Sequence, residues 1–158
     1  MISYLQFLLK STNQHGVHSP FVFNYLTKGL YAQKKTYRTE NDPSERLILS
    51  TIAYLGFKKI DVRDEVLQQK IQSHFPQISI TNDQPPFDLI ITRNPETISM
   101  HKEQMHNDSF LILQNPSRQL RKKSQDNASG FTLILDFYHT IVLSVRHEQR
   151  PQTFYLRY

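Results

Sequence analysis

The sequence predicts an α/β fold: a mostly parallel sheet that closes with an antiparallel hairpin and follows a helical extension. Three observations carry this. Short apolar runs at Lys59–Val62, Ile78–Thr81, Phe87–Thr92 and Phe110–Leu113 alternate with helical stretches, the pattern of strands and crossover helices in a parallel sheet. Phe87-Asp88-Leu89-Ile90-Ile91-Thr92 is nearly continuous in apolar residues, as a strand covered on both faces must be. Phe131–Asp136 and Thr140–Arg146 are two β-prone runs with a short connection, which reads as an antiparallel hairpin.

The helical extension comes first. Ile2, Leu5, Leu8 and Leu9 recur at helical spacing, so residues 2–10 form a short amphipathic helix. A turn follows at Asn13–His18. Ser19 then caps a second helix with Pro20 at its first position, and Gly29 is its expected stop. Lys34–Thr39 is polar linker. Asp42-Pro43-Ser44-Glu45 starts a third helix: Asp42 caps it, Pro43 takes the first position and Glu45 reaches back in a capping box. Leu47, Ile48, Thr51, Ile52 and Leu55 make its apolar face, and Gly56 ends it.

Within the core, residues 64–75 read as helix with Leu67, Ile71 and Phe75 on one face and Pro76 beyond. Pro85-Pro86 breaks the chain before the third strand. Residues 96–106 read as a weak helix, and Asn115-Pro116 opens a polar helical segment reaching Asp126. Residues 153–157 are a last strand or a docked tail. The 158 residues suit one domain, with residues 1–42 as extension and 43–158 as core.

Composition narrows the class. With 10 Phe and 8 Tyr, a core is within reach despite 38% hydrophobic residues. The chain has no Cys, so a disulfide framework and thiolate metal sites are excluded. Net charge is +5, which favours solubility and weak attraction to polyanions. The apolar start lacks a basic leader and a cleavage site, and no apolar run reaches membrane-spanning length. A cytoplasmic protein without membrane attachment is expected.

The least generic run is His15-Gly16-Val17-His18-Ser19-Pro20-Phe21-Val22-Phe23. It resembles the opening of a family of bacterial class I S-adenosylmethionine (SAM) dependent methyltransferase-like proteins. The resemblance continues at Asn107-Asp108-Ser109-Phe110-Leu111-Ile112-Leu113, at Thr132–His139 and loosely at Phe154–Tyr158. It implies a Rossmann-like, methyltransferase-type sheet after a helical N-terminal extension. The terminal antiparallel hairpin is part of that topology.

The resemblance also implies a cofactor site beyond the carboxyl ends of the strands. Such a site uses a Gly-rich turn after the first strand, an acid after the second and acids after later strands. Arg63-Asp64-Glu65-Val66 follows the first strand, without glycine. The four glycines stand at 16, 29, 56 and 130, so no alignment restores the turn. Asp83 falls late for a ribose ligand, and a strand–helix unit is missing before Phe87. Thr92-Arg93-Asn94 stands where an acid is usual, and Gln114 and Asn115 replace paired acids. The vestigial cleft candidates are therefore Asp64, Asp83, Arg93, Gln114 and Asn115. A charge-assisted hydrogen bond contributes about 1.5–3 kcal/mol, and a micromolar affinity amounts to roughly 8 kcal/mol. Several such losses leave little for SAM. The expectation is a shortened pseudoenzyme with no cofactor and no catalytic residues, acting as a binding or structural partner. The alternative is an active methyltransferase with a non-standard SAM site.

Other chemistries find less support. His15 and His18 would need further ligands for a metal site, with no Cys to join them. The structural expectation is that they bond backbone and pack with Phe21 and Phe23, as an anchor or the border of a cleft. Arg118, Arg121, Lys122 and Lys123 form the densest basic cluster, with Lys34, Lys35 and Arg38 as a second. No nucleic-acid module accompanies either, so both read as solvated faces. No Gly-x-Ser-x-Gly elbow supports a hydrolase. The β-prone C-terminal strands suggest a protein partner or self-association at a sheet edge.

Overall fold

The computed structural model describes residues 3–117, 121 and 129–158. Ser3 caps α1 (Tyr4–Lys10) through a capping box with Gln6. After a 3-10 turn at Gln14–Gly16, Ser19 caps α2 (Pro20–Asn24). The helix does not stop at Gly29. It widens into a π-helix over Tyr25–Tyr31. Gly29 is buried against the Tyr54 ring, where a Cβ would collide, so this glycine serves close packing rather than termination.

α3 (Pro43–Leu55) starts at Asp42, whose carboxylate accepts from the Ser44 N–H at 2.8 Å. Glu45 closes no capping box. It pairs with Lys70 on α4 (Glu65–His74) beside Glu40. Gly56 ends α3 in the left-handed region at φ 65°, which glycine adopts without a Cβ penalty.

Among the described residues the sheet has seven strands: β1 (Lys59–Val62), β2 (Ser79–Ile80), β3 (Phe87–Thr92), β4 (Met105–Gln114), β5 (Leu133–Asp136), β6 (Thr140–Ser144) and β7 (Gln152–Tyr155), in the order β2-β1-β3-β4-β6-β5-β7. β6 alone runs antiparallel, slotted between β4 and β5. This is the methyltransferase-type, Rossmann-like sheet expected, after a helical extension. Only the short segment from Thr81 to Pro86 separates β2 from β3, so one strand and its helix are absent at that side, and β2 is the sheet edge.

Two boundaries differ from the sequence reading. The segment 96–106 is only a 3-10 turn and the short helix α5 (Ile98–Lys102), and β4 begins at Met105 rather than Phe110. The Ser109 hydroxyl donates to the Phe87 carbonyl and accepts from the His106 N–H. It thereby ties the start of β4 to β3. The helix expected beyond Asn115 falls mostly outside the described residues.

The two faces of the sheet differ. Ile60, Val62, Leu89, Ile91, Phe110 and Ile112 pack against α3, α4 and the helical extension in the larger core. Phe87, Ile90, Leu111, Leu113, Ile141 and Leu143 form a smaller core on the other face with Ile98 of α5. Towards the β2 edge that second face turns polar, with Lys59, Asp88 and exposed Ser79.

Phe110 sits at the centre of the larger core. Phe21, Tyr25 and Phe57 each present an edge to it, with ring centroids 5.4–6.1 Å apart. Phe110→Ala removes the common partner of three rings, two of them buried, and a loss of about 3–5 kcal/mol is expected. Urea denaturation followed by far-UV circular dichroism measures it. A loss below about 1 kcal/mol would show that the extension does not depend on this ring.

Candidate functional site

The carboxyl ends of β1, β3 and β4 open at one side of the sheet, where a doubly wound fold places its ligand. Here they are bridged by side chains of the chain itself. Asp64 caps α4 by accepting from the Leu67 N–H, and its other oxygen stands 3.1 Å from the Arg93 guanidinium. Arg93 Nε donates to Gln114 Oε1 at 3.4 Å. Gln114 is buried and donates through Nε2 to Ser44 Oγ at 2.9 Å. Asn115, at φ 48°, donates through Nδ2 to Asp42 Oδ2 at 3.0 Å and to Ser44 Oγ at 3.3 Å.

The result is one chain of polar contacts, Asp64–Arg93–Gln114–Ser44–Asn115–Asp42. It ties the ends of three strands to the N-terminus of α3. Burial raises the Asp42 carboxyl, but hydrogen bonds from Ser44 and Asn115 outweigh it and hold it below its ordinary range. The Arg93 side chain is 59% exposed, so its ion pair contributes at most about 1 kcal/mol. The buried Gln114–Ser44 bond is the firmer link.

Four of the five cleft residues named from sequence, Asp64, Arg93, Gln114 and Asn115, thus meet in one network. Asp83 stands apart: it lies beyond β2, exposed, and accepts from the Thr81 hydroxyl at 2.5 Å. Beneath the network lies a cleft of roughly 190 Å3, lined in part by Asp61, Arg63, Arg93 and His101. Ligand pockets usually span about 300–1,000 Å3.

Sequence reasoning passed over Asp61 and His101. Asp61 is 2% exposed, on the sheet face towards α5, and its Oδ1 has no hydrogen-bond partner. Burial pushes its carboxyl up, while the nearby charges of His101 and Arg63 oppose that. His101 on α5 is also buried, with Nδ1 3.0 Å from Gln104 Oε1. Asp61 alternates with Ile60 and Val62 along β1, so the sequence places it on the opposite face without showing that it is buried.

His15 and His18 lie elsewhere. Both are exposed, and neither lines the cleft. The expected packing with Phe21 and Phe23 does not form. Phe21 turns to Phe110 and to the Arg146 guanidinium, and Phe23 is 41% exposed. The buried residue of that turn is Val17. Among the described residues, no group of three or more His, Asp or Glu is placed to hold a metal ion.

The basic cluster is described only at Arg121, which is not solvated. Its guanidinium holds both Asp136 oxygens at 2.8 Å, bonds the Tyr138 carbonyl and lies over the Tyr138 and Phe7 rings. Arg118, Lys122 and Lys123 fall outside the described residues. No described helix is long and apolar enough to cross a membrane.

No family model matches the chain, and no curated protein matches it. Among solved structures it is similar to a provisionally assigned caffeoyl-CoA O-methyltransferase from Staphylococcus aureus. Identity is 14%, with 78% of this chain and 96% of that one covered, at a TM-score of 0.38. The strand order and the single antiparallel strand, not this likeness, define the fold.

Asp61 has a consequence for stability. A carboxyl raised in the folded state gives stability that is complete below its unfolded pKa and lost as pH rises through the folded one. Asp61→Asn removes that loss. Its denaturation midpoint is therefore expected to exceed wild type by more at neutral pH than in mild acid. Urea titrations at both pH values test this, and a gap that shrinks with rising pH would contradict it.

Proposed function

We propose that this chain is a methyltransferase-like protein that no longer transfers methyl groups and acts by binding. The observation that carries this reading is the polar network from Asp64 to Asp42. Where a cofactor-binding sheet leaves strand ends open to its ligand, this chain joins them through its own side chains. The missing glycine turn after β1 supports the same reading, because Arg63, Asp64 and Glu65 put side chains where backbone would have to approach. So does the small cleft. A nucleoside cofactor would have to break the Arg93 and Gln114 contacts and then do without charge-assisted bonds of its own.

Isothermal titration with SAM tests this. No heat of binding is expected up to about 1 mM cofactor, and a dissociation constant in the low micromolar range would overturn the reading.

Binding is assigned to a protein partner or to a second copy at the C-terminal side of the sheet. The contact cannot use the hairpin itself: β6 lies inside the sheet, and β7 covers β5. Thr12 bonds to Tyr155 and Arg157 and takes up part of the outer edge of β7. What remains is the stretch around exposed Gln152 and Thr153. The unpaired backbone N–H and C=O groups of an edge strand are a template for another strand. Sedimentation at micromolar concentration is expected to show association that weakens with Thr153→Pro. A monomer at every concentration rules out self-association.

A further inference from the structure

The chain's excess charge sits in one place. Five of its 19 Lys and Arg, and none of its 14 Asp and Glu, fall within residues 1–39. This segment therefore carries the whole net charge of +5, and the rest of the chain is neutral. Lys10, Lys28, Lys34, Lys35 and Arg38 are all exposed. None of the five forms an ion pair with another described residue. The next acids along the chain are engaged elsewhere: Glu40 pairs with Lys70, and Asp42 caps α3 and accepts from Asn115.

The same segment holds most of the exposed apolar side chains. Of the six large apolar residues exposed among the described residues, four (Tyr4, Leu5, Leu9 and Phe23) belong to it. Leu5 and Leu9 stand one turn apart on α1, 69% and 82% exposed, and the helical period places both opposite the buried Phe7. Tertiary contacts bring cations beside this ridge. Arg157 donates to the Ser11 hydroxyl and carbonyl, next to Leu9 and Lys10. Tyr31 donates to the Arg157 carbonyl, and Lys34 Nζ lies over the Tyr158 ring at 5.6 Å. The last turn of α1 and the end of the π-helix thus meet at one tail, with Leu9, Lys10 and Lys34 around it.

We propose that the helical extension docks on the surface of an anionic lipid bilayer, with Leu5 and Leu9 entering the headgroup layer and the exposed lysines facing lipid phosphates. Charge and apolarity select this partner together. A basic face alone suits any polyanion, but a nucleic acid gains from aromatic stacking and nothing from an aliphatic ridge. The ridge alone suits a protein, but protein interfaces are depleted in lysine. A helix lying in a membrane interface uses both. Each Lys or Arg near an anionic membrane strengthens binding about fivefold. The expectation of no membrane attachment rested on the lack of a leader and of a spanning run. No described helix could cross a bilayer, and a contact within its surface needs none.

The test is co-sedimentation of the full chain with vesicles made of equal parts phosphatidylcholine and phosphatidylglycerol. Vesicles of phosphatidylcholine alone and a single-stranded oligonucleotide serve as comparisons. Binding to the anionic vesicles is expected at about 0.1 M salt. It is expected to fall at least about tenfold near 1 M, as the Debye length shrinks from about 10 to about 3 Å. Lys28→Gln combined with Lys35→Gln is expected to weaken binding about tenfold or more, and so is Leu5→Ser combined with Leu9→Ser. All four side chains are exposed, so far-UV circular dichroism is expected to match wild type in both variants. No binding at about 1 mM anionic lipid overturns the proposal. So does equal binding to phosphatidylcholine alone, or binding that either double variant leaves unchanged. Tighter binding of the oligonucleotide, untouched by the leucine changes, assigns the charge to nucleic acid and overturns it too.

Discussion

The edge-to-face contacts on Phe110 hold the protein together as one body. This ring comes from β4, the strand between the parallel half of the sheet and the antiparallel insertion. Phe21 and Tyr25 bring the helical extension onto it, and Phe57 brings the turn that feeds β1. Each such pair adds about 0.5–1.5 kcal/mol beyond the area it buries. The hydroxyl of Tyr25 is fully buried and bonded to Thr51 Oγ1 at 2.7 Å, so the same ring also anchors α3. Burial pushes that phenol far above its ordinary pKa. The extension is therefore part of the core: it supplies rings that a lone α3 and α4 would not.

At the other end of α3 the same helix enters the polar network. Ser44 and Asp42 sit at its first turn, and both receive donors from the end of β4. An α-helix N-terminus in such a fold commonly meets a ligand anion. Here Asp42 supplies the negative charge; the Asn115 amide donates to it, and the Gln114 amide donates to Ser44 beside it. The amides Gln114 and Asn115 at the end of β4 and the acid at the helix cap are thus two halves of one arrangement.

One edge of the sheet is polar as well. Its strand, β2, has only two residues. The sheet face beside it carries Lys59, Asp88 and Ser79. Asp88 is tied down, accepting from the Lys58 and Lys59 N–H groups and meeting His106 Nε2 at 2.9 Å. A short, polar edge resists pairing with other chains. The opposite edge strand is β7, part of whose outer side is taken up by Thr12 from the helical extension, which forms a bridge with Leu156. Arg121 fastens α1 to the same end by gripping Asp136 and stacking between Tyr138 and Phe7.

The chain's local chemistry was sufficient for what depends on near neighbours. Ser19-Pro20 and Asp42-Pro43 mark helix starts because capping acts within one turn. Gly56 marks a stop because only its own φ is at issue. The apolar runs of β1, β3, β4, β5 and β6 report their burial directly. The absence of a glycine turn after Val62 was equally plain, since no other part of the chain can supply one. Distant contacts decided the rest. Gly29 reads as a stop until the Tyr54 ring is set against it. Glu45 reads as a capping partner until Lys70 competes for it across two helices. His15 and His18 look like an anchor, yet Phe21 packs with Phe110 and Arg146 instead and Phe23 is exposed. The insertion of β6 between β4 and β5 follows from sheet pairing that hairpin propensity does not specify. Asp61 carries the sharpest case: its burial, its unpartnered oxygen and the arginines near it exist only because three strand ends and α5 meet in space.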